Sequence, residues 1–173
     1  MSVYFCSDLH FGHKGIQQFR PFVTSCSNNE QQIIRDWQAV ITKRDTVYVL
    51  GDAAFTTDAC DLFGSLPGVK YLVRGNHDKL DTTYYLKYFK QVYGLLKYKE
   101  FWLSHAPIHP QELRGRINLH GHVHYSNVVA ENVNGSKIPD TRYFNCCVEN
   151  TRNYNSLWMP WCQEVREIFW QRS

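Results

Sequence analysis

The sequence has no apolar stretch long enough to cross a membrane, and its first residues lack a basic segment followed by an apolar one. Instead, the strand-like segment VYFCS begins at Val3. These absences argue against a membrane protein and against a secretory leader. We therefore expect a soluble cytoplasmic protein that has no membrane partner.

The cysteines show no C-x-x-C pair, a spacing found in many zinc and redox sites. Several of them lie within apolar, strand-like runs, where a thiol acts as a small buried hydrophobe. The six are Cys6, Cys26, Cys60, Cys146, Cys147 and Cys162. This usage favours a reducing cytoplasm.

A strong charge bias is also missing. The net charge is +3, and the lysines and arginines are spread along the chain rather than gathered in a basic run. Nucleic acid is thus permitted as a substrate but is not required as a partner. The chain has no repeat, low-complexity tract or linker, and its 43% apolar content suffices for one core. We predict a single domain over residues 1–173.

Apolar runs of strand length alternate with helical patterns in the first half of the chain. The predicted helices cover roughly residues 28–42, with a Ser27–Glu30 capping box, and about 58–66, with a shorter one after Asp81. The predicted strands are 3–6, 46–50, 69–73 and about 91–96, 100–104, 117–121, 142–148 and 164–169. Parallel β-α-β units are expected first and antiparallel strands later. Residues 126–141 are expected to form a polar loop.

Short polar motifs end five of the apolar runs, and each contains residues that can bind a metal. They are SDLH at 7–10, LGD at 50–52, GNHD at 75–78, SHAP at 104–107 and GHVH at 121–124. Imidazole, carboxylate and amide oxygen form a mixed ligand set that suits borderline and hard divalent cations. Taken singly, Asp8 and Asn76 would be ordinary turn residues and His105 a hydrogen-bonded core histidine. Because strand ends can bring distant segments together, the joint pattern predicts one dinuclear metal site.

The ordered set D-x-H, G-D, G-N-H-D, H and G-H-x-H, spread over residues 8–124, resembles the signature of the calcineurin-like metallophosphoesterases. The longer strings SDLHFGH, LSHAP, LHGHVH and RYFNCCVEN are similar to the small stand-alone bacterial and phage members that carry no cap domain. This resemblance implies an α/β fold. It would be a four-layer α/β/β/α sandwich with two mixed β-sheets and the dinuclear site at the strand ends.

The resemblance also implies a ligand set and a chemistry. One metal would be held by Asp8, His10 and His124, and the other by Asn76, His105 and His122, with Asp52 bridging both. Catalytic roles would fall to Asp52 and to His77, which would protonate the leaving oxygen while a metal-bridging hydroxide attacks phosphorus. Mn²⁺ is favoured for the two divalent metals, and Fe, Zn²⁺ or Ni²⁺ would also fit.

Further residues are candidates for supporting roles. Asp78 could orient an imidazole, and His13 and Arg74 could reach the substrate phosphate. Four arginines lie in or near the loops expected around the metals, where phosphate binding competes with simple solvation. These are Arg20, Arg74, Arg114 and Arg116.

The expected substrate is a phosphodiester or phosphomonoester, with nucleotide-like chemistry and the diester favoured, because a chain without a cap should have an open cleft. No obligate protein partner is evident. Two alternatives remain open. One is a non-catalytic protein-binding scaffold with the same fold, which intact ligand positions disfavour. The other is a nuclease of the same family, although neither a basic stripe nor an added DNA-binding segment is evident.

Overall fold

The computed structural model describes residues 1–20 and 28–151. Four strands form the first sheet in the order β1-β2-β3-β4, and every neighbouring pair is parallel. They are β1 (Val3–Cys6), β2 (Thr46–Val49), β3 (Val69–Val73) and β4 (Phe89–Tyr93). The predicted bounds of the first and third strands are confirmed, and the parallel β-α-β beginning of the chain is confirmed with them.

Six further strands follow. They are β5 (Leu96–Tyr98), β6 (Phe101–Leu103), β7 (Ile117–His120), β8 (Val129–Glu131), β9 (Lys137–Pro139) and β10 (Tyr143–Asn145). Four of them form a second sheet in the order β10-β7-β6-β5, in which only β5 and β6 are antiparallel. The α/β fold with two sheets is confirmed, with one sheet parallel throughout its described strands and the other mixed.

Several predictions in the second half of the chain need correction. The strand predicted at about 91–96 is divided between β4 and β5, and the strand predicted at 142–148 ends at Asn145. The predicted polar loop at 126–141 contains the β8–β9 hairpin, in which Ala130 pairs with Ile138. Antiparallel strands were expected in this half of the chain. However, β7 pairs in parallel with both β6 and β10, because long connections join these strands. The strand predicted at 164–169 lies outside the described residues.

Four α-helices are described: α1 (Asn29–Val40), α2 (Thr57–Gly64), α3 (Thr82–Tyr85) and α4 (Val148–Thr151). The capping box of α1 is shifted by one residue from its predicted place. Asn28 Oδ1 accepts the Gln31 N–H at 2.9 Å, and the Gln31 side chain accepts the Asn28 N–H in return. The predicted partner Glu30 instead accepts the Gly12 N–H at 2.8 Å, so it ties α1 to the loop after β1. Ser27 lies outside the described residues.

Two hydrophobic clusters separate the layers. Ile33 and Trp37 of α1 and Phe63 of α2 pack against the outer face of the first sheet. Between the sheets, residues from both inner faces meet: Phe5, Leu50, Val73, Phe101, Leu103, Leu119 and Phe144. Burial on this scale is the main driving force for folding. This packing fixes the strand ends relative to one another, so the loops that follow them start from rigid positions.

The outer face of the second sheet is covered by the segment around a 3₁₀ turn at Pro110–Glu112. Asn118 Oδ1 accepts the Ile108 N–H at 3.0 Å, and the Tyr143 hydroxyl donates to Ile108 O at 2.7 Å. No helix in the described part of the chain is both long and apolar enough to span a membrane.

Candidate metal centre

The loops that leave β1 and β2 run side by side past the ends of the strands. Asp8 N–H donates to Gly51 O at 3.0 Å, and His10 N–H donates to Asp52 O at 2.9 Å. Parallel strands end at the same edge of a sheet, so this pairing brings the predicted ligands Asp8, His10 and Asp52 close together.

Five predicted ligands have left-handed backbone conformations. Their φ angles are 60° at Asp8, 55° at His10, 53° at Asp52, 72° at His122 and 48° at His124. Such conformations cost of order 1–3 kcal/mol each in non-glycine residues and persist where the surrounding structure holds them. All five lie at one edge of the sheets, where the predicted ligands gather.

In the first group of ligands, Asp8 and His10 are buried and His124 is half-buried. Asp8 Oδ1 lies 3.5 Å from His10 Nε2 and 3.6 Å from His124 Nε2. Among the described residues, Asp8 Oδ1 and both ring nitrogens of His10 have no hydrogen-bond partner. Buried polar atoms without partners are costly, and a cation among them would supply the missing contacts. These residues therefore fit a bound metal.

The second group lies closer to solvent. Asn76 Oδ1 is 2.8 Å from His105 Nε2 and 3.1 Å from His122 Nδ1. The other ring nitrogen of His105 lies 2.8 Å from Leu50 O, so it carries the proton and leaves the Nε2 lone pair facing Asn76. This second group also fits a divalent metal, with one amide oxygen and two imidazoles.

Asp52 joins the two groups. Its Oδ2 atom lies 3.8 Å from His10 Nε2 and 3.5 Å from His105 Nε2. Its Oδ1 atom accepts the His77 N–H at 2.9 Å, which fixes the carboxylate plane. The structure thus brings all seven predicted ligands together, in an arrangement compatible with the two sets that the resemblance implies.

The protonation states suit cation binding. Burial lowers the pKa of His10, which favours the neutral imidazole that a metal requires. Burial acts to raise the pKa of Asp8, but the neighbouring His10 and Ser7 side chains and the His122 N–H outweigh it and hold this pKa well below its usual value. The first group therefore offers a carboxylate and a neutral imidazole.

Close packing at two glycines keeps the motifs in contact. A Cβ on Gly75 would lie 2.3 Å from Asp52 Oδ1, and a Cβ on Gly121 would lie 1.8 Å from Ser7 Oγ. No side chain fits at either position. The glycines that precede Asn76 and His122 therefore allow one loop to approach another closely.

A model of the family described as calcineurin-like phosphoesterase matches residues 1–169. The chain belongs to this family. Calcineurin-like phosphoesterases act on phosphoesters and typically bind two divalent metals, so this chain is a phosphoric ester hydrolase of the metal-dependent type.

Relatives of the chain are similar over most of their length. The gene 66 protein of Mycobacterium phage L5 is 26% identical over 175 residues, which cover 79% of this chain and 84% of that protein. An uncharacterized protein of Methanocaldococcus jannaschii is 31% identical over 136 residues, covering 73% and 71%. The names of these two proteins do not state a substrate.

Two solved structures share the fold. A protein of unknown function from Aquifex aeolicus superposes with a TM-score of 0.68 at 27% identity, covering 96% of this chain and 98% of that one. A novel archaeal phosphodiesterase gives a TM-score of 0.51 at 15% identity, covering 90% and 87%. At this lower identity the likeness extends to the fold alone.

Asp78 of this calcineurin-like phosphoesterase supports the backbone rather than an imidazole, contrary to the sequence-based expectation. Its carboxylate accepts N–H groups from Asp52 and Gly75, each at 2.8 Å, and from Ala53 at 2.9 Å. The side chain is buried, so these bonds hold the loop that carries Asp52 against the loop that carries Asn76. Asp78 of the GNHD motif therefore links two loops that carry predicted metal ligands.

We expect Asp78→Ala to lower the free energy of unfolding by about 3 kcal/mol or more, because three N–H groups would lose their acceptor. Urea unfolding followed by circular dichroism measures this loss. Asp58→Ala on the exposed start of α2 is the control and should change stability by less than about 1 kcal/mol. Equal losses in the two variants would contradict the bracing role.

Arg74 and His13, the two candidates for contacts with the substrate phosphate, lie in different surroundings. The Arg74 guanidinium donates to Asp78 O and Leu80 O, each at 2.7 Å, and to Thr82 Oγ1 at 3.1 Å. It holds the backbone after the GNHD motif, and a contact with substrate phosphate stays a prediction. His13 stays near the site, with its ring 5.6 Å from that of His10.

His77 lies beside the ligands without joining them. Its ring stacks on Phe55 with centroids 5.0 Å apart and planes 20° apart, and it lies 5.9 Å from the His10 ring. The side chain is partly exposed. A half-open imidazole next to the ligand atoms is placed to contact a bound substrate.

Sequence reasoning did not find the buried side chains behind the first group. Cys147 Sγ donates to Asp8 Oδ2 at 3.1 Å, and Glu149 Oε1 lies 3.1 Å from His124 Nδ1. Arg20, expected either to bind phosphate or to be solvated, is buried and forms an ion pair with Glu149. Hydrogen bonding to Glu149 raises the pKa of His124 despite the opposing effect of burial. The sequence signal for Cys147 and Glu149 was their place in the RYFNCCVEN string.

Proposed function

We propose that this single-domain protein hydrolyses a nucleotide-like phosphodiester, and phosphomonoesters less readily, using two divalent cations. One observation carries the proposal. The Asp52 Oδ2 atom lies within 3.8 Å of His10 Nε2 and 3.5 Å of His105 Nε2, so one carboxylate oxygen serves two groups of ligand atoms. A shared carboxylate of this kind suits a pair of metals about 3.5–4 Å apart.

In this proposal Asp8, His10 and His124 hold one cation, Asn76, His105 and His122 hold the other, and Asp52 contacts both. Bound cations would lower the pKa of water and would stabilise the charge on the phosphoryl oxygens. Mn²⁺ is our first choice, because the mixed oxygen and nitrogen ligands suit it, and Fe, Zn²⁺ and Ni²⁺ are compatible with the same atoms.

His77 is the proposed general acid. It is held by its backbone N–H on Asp52 Oδ1 and by the stack on Phe55, so its ring stays beside the ligands while one side faces solvent. A histidine with these restraints can donate a proton to the oxygen that leaves phosphorus.

Two exposed aromatic side chains support a nucleotide-like substrate. Tyr125 follows the ligand His124 directly, and its hydroxyl donates to Phe19 O at 3.1 Å. Phe19 is 67% exposed and Tyr125 is 52% exposed. Large aromatic faces in contact with water beside a phosphoester site can stack a base.

The cysteines support a cytoplasmic setting for this activity. The four cysteines among the described residues carry free thiols, and all four are buried. Burial raises the pKa of Cys60 to about 11, so its thiol stays protonated at neutral pH.

A substrate panel with metal-free protein and added Mn²⁺ tests the proposal. The panel should span chromogenic mono- and diesters, cyclic nucleotides, dinucleotides and single-stranded nucleic acid. We expect Mn²⁺-dependent turnover that chelation abolishes, with diesters cleaved faster than monoesters. Cleavage of polymers alone would favour the nuclease alternative. Two bound metals without turnover of any ester would contradict the proposal and favour a binding scaffold.

A further inference from the structure

A buried ion pair lies directly behind the first ligand group. Arg20 Nε and one of its terminal nitrogens each lie 2.8 Å from Glu149 Oε1. Arg20 is 1% exposed and Glu149 is 6% exposed. Burying two charges is costly unless their arrangement serves further contacts, so the partners of this pair indicate what it does.

Glu149 acts on His124. The oxygen that binds Arg20 also lies 3.1 Å from His124 Nδ1, while His124 Nε2 faces Asp8 Oδ1 at 3.6 Å. A proton on Nδ1 donated to Glu149 leaves the Nε2 lone pair directed toward the ligand atoms. A carboxylate behind a ligand histidine both fixes its tautomer and makes it a stronger base.

Arg20 acts on the Asp8 backbone. Its guanidinium donates to Asp8 O and, at 3.2 Å, to Leu9 O. Asn29 of α1 completes the arrangement by accepting from Arg20 at 2.6 Å and donating to Leu9 O at 2.9 Å. These contacts hold the carbonyls of the left-handed turn in which Asp8 has φ 60°.

The second ligand group is supported in another way. The orienting partner of His105 is a neutral backbone carbonyl, Leu50 O, at 2.8 Å. The Arg20–Glu149 pair contacts Asn29, Leu9 O, Asp8 O and His124 Nδ1, and two of these contacts fall on ligand residues of the first group. The pair is therefore positioned to act directly on the first metal position.

We propose that Glu149 and Arg20 are positioning residues that set the cation affinity of the Asp8–His10–His124 position selectively. This inference rests on the two-metal site of the proposed function. Glu149 supplies a negative charge behind His124, and Arg20 offsets part of that charge while holding the Asp8 turn. We expect the two metal positions to differ in strength, because this ion pair directly supports the first one.

Mn²⁺ titration of metal-free protein tests the proposal without any measurement of turnover. The wild type is expected to bind two ions. Glu149→Gln should weaken one of them by about 10–100-fold and leave the other unchanged. Arg20→Lys should weaken the same ion by a smaller factor, because the three N–H donors of an ammonium cannot keep all five contacts of the guanidinium. Asp140→Asn, which breaks the Asp140–Arg142 ion pair, is the control and should keep both affinities.

A double-mutant cycle separates positioning from general damage. In a His105→Ala background, which retains the first group, Glu149→Gln should weaken the remaining tight ion. In a His124→Ala background it should have no further effect, because the residue through which Glu149 acts is missing. Equal weakening in both backgrounds, or unchanged Mn²⁺ binding in folded Glu149→Gln, would overturn the inference. Fewer than two ions in the wild type would overturn the proposed function instead.

Discussion

Asp52→Asn is expected to remove turnover almost completely and to reduce the bound metal. The substitution removes one negative charge from an oxygen that lies within 4 Å of both ligand groups. Loss of several kcal/mol of charge stabilisation corresponds to about a thousandfold or more in rate. Steady-state kinetics with saturating Mn²⁺, together with elemental analysis of the dialysed protein, measure both effects.

The near-isosteric change leaves the Asp78 brace on the Asp52 backbone in place, so the fold should persist. Asp58→Asn on the exposed start of α2 is a matched control for loss of one carboxylate and should retain wild-type metal content. Near-normal turnover in Asp52→Asn would contradict the shared-carboxylate assignment.

His77→Ala is expected to retain both metals and to slow hydrolysis most for esters with poor leaving groups. A general acid matters most when the departing oxygen is strongly basic, and its loss costs about 10²–10⁴-fold in such cases. Because His77 touches Asp52 only through its backbone N–H, the alanine variant keeps that contact. The measurement is kcat for a series of aryl diesters with leaving groups of different pKa.

The exposed histidine His109, whose side chain caps the 3₁₀ turn at Pro110–Glu112, supplies the control. His109→Ala should leave the dependence on leaving group unchanged. An equal loss for good and poor leaving groups in His77→Ala would exclude the acid role and leave His77 with a binding role.

The convergence of the candidate ligands could be predicted because its signal is local. Each ligand lies within a short motif at the end of an apolar run, as Asp52 does after β2 and His105 does after β6. Parallel strands bring such ends to one edge, so residues far apart in sequence converge without any further information. The apolar runs likewise predicted β1, β2 and β3 of the first sheet, whereas β4 begins earlier than predicted.

The support behind the ligands could not be predicted because it depends on contacts between distant residues. Arg20 and Glu149 are 129 positions apart, and each alone resembles an ordinary surface charge. The role of Asp78 was misassigned for a related reason. Its carboxylate was expected to accept a hydrogen bond from an imidazole, whereas its donors include the backbone N–H groups of Asp52 and Ala53 on another loop.

The most direct test of the two-metal account is a crystal structure of the Mn²⁺-loaded protein with anomalous diffraction data recorded at the manganese edge. The account predicts two anomalous peaks about 3.5–4 Å apart, one beside Asp8 and His124, the other beside Asn76 and His105, and both in contact with Asp52. A single peak, or two peaks of which only one contacts Asp52, would contradict it.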